Sequence, residues 1–138
     1  MEKTENKEIV SFEIITLRES GMRYTVEYEF KQNDGQAEIS EYGIRYIQGG
    51  GEERVPSRRA VCDTAKVLAL LNRCEMLSWN GFNGPHPKDV LDGIMFRLSA
   101  SVNGGVRIYA RGSENFPAHY GDFKDGLYEL LKNGKATQ

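Results

Sequence analysis

Apolar and polar residues alternate along several stretches of this chain. Ile9 to Arg18 is rich in Ile, Phe, Thr and Val neighbours and predicts a strand. Glu19 to Met22 then reads as a turn. From Arg23 to Lys31 the alternation has no fault. Tyr24, Val26, Tyr28 and Phe30 share one side, and Arg23, Thr25, Glu27, Glu29 and Lys31 share the other. That pattern predicts a half-buried strand with one wet face. Asn33-Asp34-Gly35 supplies the positive-φ residues of a tight turn, and a third strand follows from Gln36 to about Ile47. Its phase slips between Ala37 and Ile39 on one side and Tyr42, Ile44 and Tyr46 on the other, and Gly43 is the expected site of a bulge that resets it.

The period then lengthens. Thr64, Val67, Leu71, Cys74 and Ser78 fall on one helical face, flanked by Leu68, Leu70 and Leu77. A helix is expected between about Ser57 and Ser78, beginning instead at Asp63 if Val55 to Cys62 is extended. Gln48 to Glu53, with its three glycines, reads as a flexible turn and not a phosphate loop, because no Lys-Ser/Thr follows. Arg54-Val55 can re-enter the sheet briefly before Pro56. Pro85 and Pro87 make the next stretch loop.

Gly93 onward returns to period two. Ile94, Phe96, Leu98, Ala100 and Val102 point inward, Asn103-Gly104-Gly105 turns the chain, and Val106, Ile108 and Ala110 point inward on the return. A three-residue loop pairs apolar with apolar residues, Val102 with Val106 and Leu98 with Ala110. A last helix from about Pro117 to Lys132 buries Tyr120, Phe123, Leu127, Leu130 and Leu131 and stops at Asn133-Gly134. The order βββ-α-ββ-α predicts an α+β two-layer sandwich, with an antiparallel sheet of about five strands and two helices on one face. The chain reads as one domain with residues 1–8 and 135–138 as tails.

Composition narrows the function. A formal charge of -2 over 138 residues opposes broad electrostatic capture of nucleic acid. The charged start, Met1 to Glu8, has no apolar core of a secretory signal, and Val67 to Leu71 is too short to span a bilayer. A cytoplasmic location without membrane contact is expected. Cys62 and Cys74, if on one helix, stand roughly 18 Å apart along its axis, too far for a disulfide. No cofactor motif is present.

The hairpin register carries the sharpest candidate chemistry. Arg97 faces Arg111 and Ser99 faces Tyr109 on the outward side. Like charges directly across a sheet repel, so either an acid from a neighbouring strand (Glu27 or Glu29) or a bound anion must relieve them. Arg97, Arg107, Tyr109 and Arg111 are therefore candidates for an anion-binding face, or for a nucleic-acid surface. His86 and His119 could act as acid and base with Asp89, Asp92 or Glu114, although no serine or cysteine elbow accompanies them. His86, Asp89 and Asp92 have loose metal-ligand spacing, short of a metal site. Trp79 and Phe82 either anchor a partner or pack the loop over the sheet.

Trp79-Asn80-Gly81-Phe82, then Asp92-Gly93-Ile94-Met95-Phe96-Arg97-Leu98, then Gly112-Ser113-Glu114-Asn115-Phe116-Pro117 before a terminal helix resemble a family of small bacterial domains with no established activity. Their shape is W-x-G-F, D-G-x-x-[WF]-x-L and G-x-N-x-[FY]-P, and here the Gly112-Ser113-Glu114-Asn115 run carries an extra residue in the third motif. The resemblance spans about Leu68 to Leu131 and implies the fold without an activity. The leading expectation is a non-enzymatic module that binds a protein or a small anionic ligand through the arginine face or the Trp79–Pro87 loop. The alternatives are a hydrolase-type enzyme using His86, Asp92, His119 and Glu114, and a nucleic-acid binder. A homodimer through a sheet edge is a further expectation.

Overall fold

The structure, a computed structural model, describes residues 8–90 and 93–136. Asp92 lies outside them. Four antiparallel strands form first: β1 (Phe12–Ser20), β2 (Thr25–Asn33), β3 (Gln36–Tyr46) and β4 (Glu52–Asp63). Helix α1 (Thr64–Arg73) and a 3-10 turn (Met76–Trp79) follow. The two-residue strand β5 (Asn83–Gly84), the hairpin β6 (Met95–Val102) and β7 (Val106–Ser113), helix α2 (Tyr120–Asn133) and the two-residue β8 (Lys135–Ala136) complete the chain. One sheet holds all the strands in the order β5-β7-β6-β1-β2-β3-β4-β8. The fold is thus α+β, an antiparallel sheet with two helices over its apolar face, and the sheet is wider than five strands.

The β6–β7 register pairs Val102 with Val106, Ala100 with Ile108 and Leu98 with Ala110, as apolar matching requires. Phe96 and Ile108 both enter the core, with Ile15, Leu17, Phe30 and Ile39 from the neighbouring strands. Val67, Leu71, Phe123 and Leu127 close it from the helices. Trp79 is buried in this core, edge-on to Phe123, and its indole N–H donates to the Ala118 carbonyl at 3.0 Å.

Four expectations need correction. Residues 57–63 are strand, not helix: β4 pairs with β3 along its length, and α1 starts after Asp63. Pro56 is accommodated because the β3–β4 register shifts there, Glu41 opposing Arg58 and Tyr42 opposing Pro56, which leaves Ser57 as the extra residue. The bulge is therefore in β4; Gly43 stays in unbroken register with Val26 of β2. Tyr42, Ile44 and Tyr46 consequently remain on the outer face, and the slip in their pattern marks a real change in which face is apolar. Third, the wet side of β2 is not wet. Glu27 and Glu29 are buried beneath arginines: Arg54 Nη2 lies 2.7 Å from Glu27 and 3.4 Å from Glu29, and Arg18 lies 3.4 Å from Glu27. The tail expected from Lys135 begins with two residues paired to Ala60 and Val61.

The family-like motifs have structural work. Gly81 N–H donates to the Tyr109 carbonyl, Asn80 accepts from Tyr109 N–H, and Arg111 N–H donates to the Phe82 carbonyl. This segment covers the outer edge of β7, with Gly81 at φ +86. Gly112 lets the chain close: a Cβ there would sit 2.0 Å from the Asn115 carbonyl oxygen. Phe116 stacks between Phe96 and Tyr120.

Candidate anion-binding site

The outer face is built by cross-strand register. Arg111 opposes Arg97 on β6, Arg97 opposes Arg18 on β1, and Arg18 opposes Glu27 on β2. Strand β1 therefore separates the hairpin from the β2 carboxylates that could have neutralised it. Arg18 is satisfied by Glu27 and, at 2.7 Å, by Glu52. Hydrogen bonding to Glu52 pushes the Arg18 pKa above its ordinary value, against desolvation. The same contact, with a smaller contribution from nearby Arg97, lowers Glu52 below the usual carboxylate range. Among the described residues no carboxylate lies within 4.0 Å of Arg97 or Arg111, whereas Arg18, Arg45, Arg54, Arg58 and Arg59 each meet one.

Arg18, Arg97 and Arg111 line one cleft of about 410 Å³ with His86, Ser113 and Asn83. The Pro-flanked loop supplies one wall. His86 Nδ1 is 2.8 Å from Ser113 Oγ, and its Nε2 meets the Val90 carbonyl. A carbonyl only accepts, so Nε2 carries the proton and Nδ1 accepts from the serine hydroxyl. The cleft thus offers guanidinium donors and an amide, and among the described residues no acidic side chain lines it. Planar guanidinium groups suit a carboxylate or phosphate bidentately. Comparison with protein-family models, curated proteins and solved structures finds no match to the chain.

The other candidates are placed elsewhere. Arg107 is four residues along β7 from Arg111, about 13 Å by strand rise, and does not join the cleft. Tyr109 is half exposed on the same face but does not line it. Trp79 is in the core and closed to a ligand, and Phe82 packs on Phe96. His119 is not brought to His86: its ring meets Glu75 at 3.4 Å and Asp122 at 3.2 Å at the start of α2. Glu114, with φ +48, accepts from Ile94 N–H at 2.5 Å and closes the loop before β6. Among the described residues no group of three or more His, Cys, Asp or Glu could hold a metal. Nor is any helix among them long and apolar enough to cross a membrane.

Two contributors escaped the sequence reading. Arg18 carries no local signal beyond the end of a strand, because nothing in its neighbourhood places β1 beside β6. Ser113 has the sequence context of a turn residue, and its proximity to His86 arises from the parallel β5–β7 pairing of Asn83 with Arg111 and Gly84 with Gly112.

Proposed function

We propose that this chain is a small cytoplasmic binding module that takes an anionic group, a carboxylate or phosphate, in the cleft lined by Arg18, Arg97 and Arg111. The observation that carries the reading is the opposition of Arg97 and Arg111 with no carboxylate within 4.0 Å of either among the described residues, whereas Arg18, Arg54, Arg58 and Arg59 of the same sheet each meet one. Like charges kept face to face cost stability, and a ligand's charge offsets that cost. The free thiols Cys62 and Cys74 fit a reducing compartment. Titration with inorganic phosphate and with acetate, followed through the side-chain N–H signals of the arginines, tests this. Shifts at Arg97 and Arg111 that saturate in the millimolar range and vanish in Arg97→Glu are expected. Flat signals with both anions would refute the reading.

A second reading rests on the Ser113–His86 hydrogen bond of 2.8 Å. With Nε2 held by a carbonyl, Nδ1 is the free base a serine nucleophile needs, which would make the cleft a hydrolase site for anionic esters. Turnover of p-nitrophenyl phosphate that is lost in both Ser113→Ala and His86→Ala would favour it over simple binding.

A further inference from the structure

The cleft does not end at the arginines. It shares Ser20 and Met95 with a second groove, of about 500 Å³, lined also by Met22, Tyr24, Ile44 and Tyr46. Met22 is 70% exposed, Tyr46 66% and Met95 54%, so three of the four most open large apolar side chains among the described residues gather at one end of the outer face. This is where the phase slip in β3 leads, since Ile44 and Tyr46 stay outward instead of turning into the core. Isolated exposed apolar residues are ordinary; a contiguous group beside a charged cleft is a recognition surface. Its side chains include Met, Tyr and Arg, residue types enriched at protein interfaces, alongside small polar residues and glycines, and among the described residues neither an acidic residue nor a lysine lines either cavity. Met22, Tyr46 and Met95, each more than half exposed, make this part of the surface shallow, whereas a small-molecule site encloses most of its ligand.

We infer that the joined surface docks an acidic segment of a partner protein, with a carboxylate on Arg97 and Arg111 and a neighbouring apolar side chain over Met95, Met22 and Tyr46. This rests on the anion-binding reading of the cleft and names its partner. Charge complementarity sets the acidic residue. Spacing sets the rest: Met95 and Arg97 are two steps apart on β6, about 7 Å. The acidic and apolar residues of the partner are therefore two apart in an extended segment, or three to four apart on a helix.

The probe is a displayed random-peptide library, selected on the intact chain. The expected consensus places Asp or Glu at one of those spacings from Leu, Ile, Phe or Met. A synthetic consensus peptide, labelled and followed by fluorescence polarisation, loses at least tenfold in affinity in Arg97→Glu and, separately, in Met95→Ser. Both side chains are exposed, so neither replacement removes a core contact. No enrichment, a consensus lacking either residue type, or binding indifferent to both variants overturns the inference. So does concentration-dependent self-association abolished by Met95→Ser, which assigns the face to a second copy. Binding of decanoate with no peptide selected assigns it to a small amphiphile and overturns it likewise. If phosphate and acetate shift the arginines while no such peptide binds, the docking inference fails and the anion cleft stands; if nothing binds, both fall.

Discussion

Glu19 sits on the core side of β1, next to the cleft residue Ser20, and its carboxylate is among the few charges buried in this molecule. It accepts from the Tyr120 hydroxyl at 2.7 Å and from Lys124 Nζ at 2.9 and 3.0 Å. Burial works against the Lys124 ammonium, but hydrogen bonds to Tyr128 and Glu19 outweigh it, and its pKa is raised. Replacing Glu19 by Ala strands that ammonium and removes the acceptor of a buried hydroxyl. Breaking one side of a buried pair costs about 3–5 kcal/mol. The faces of Tyr28, Tyr120 and Tyr128, 5.2–6.0 Å from Lys124 Nζ, return part of this, at about 0.5–2 kcal/mol for a cation over aromatic rings. A net loss of about 2–4 kcal/mol follows. With a urea slope of about 1–3 kcal/mol per M, the midpoint falls by about 1 M or more. The single tryptophan, Trp79, is buried and reports the transition by fluorescence, with circular dichroism as a check. Lys124→Met should cost less, because its carboxylate partner keeps the Tyr120 hydroxyl. The double variant Glu19→Leu/Lys124→Met should cost less than the two single losses together. A Glu19→Ala cost under about 1 kcal/mol, or strict additivity in the cycle, would refute the account.

Arg97→Gln should raise stability by about 0.2–1 kcal/mol at low salt, the gain shrinking as salt screens the row, and urea midpoints at two ionic strengths check both signs. Glu41 is held below its ordinary value near 4.5, chiefly by hydrogen bonding from Arg58. A lowered folded-state pKa contributes stability above the unfolded value and loses it as pH falls through the folded one. The stability gap between the wild type and Arg58→Gln should therefore be full at neutral pH and close below about pH 4.5, as urea melts across that range would show. Gly112→Ala forces a Cβ against the Asn115 carbonyl oxygen and Phe96, and should cost about 1–3 kcal/mol or more. Gly121→Ala in α2, where nothing lies within 4 Å, should add about 0.4–1 kcal/mol, and thermal midpoints of the two variants should move in opposite directions.

Local pattern was enough for the hairpin. Its alternation and three-residue turn set the pairing of Arg97 with Arg111 before any neighbour is known, because a shift by one residue would bury arginines and expose Phe96 and Ile108. The helix stripes and most of the core were legible for the same reason, since periodicity records burial, but Tyr24 and Val106, read as inward, sit at strand ends and are 43% and 46% exposed. Order across the sheet was not. That β1 lies between β2 and β6 depends on long-range pairing that no window of sequence contains, and this single placement decides that Glu27 and Glu29 serve Arg18 and Arg54 and leave Arg97 and Arg111 open. The strand at residues 57–63 is the same lesson, since the hydrogen bonds offered by β3 outweigh a weak local leaning toward helix. The residues were written in the chain; the site exists because tertiary pairing chose which charges meet.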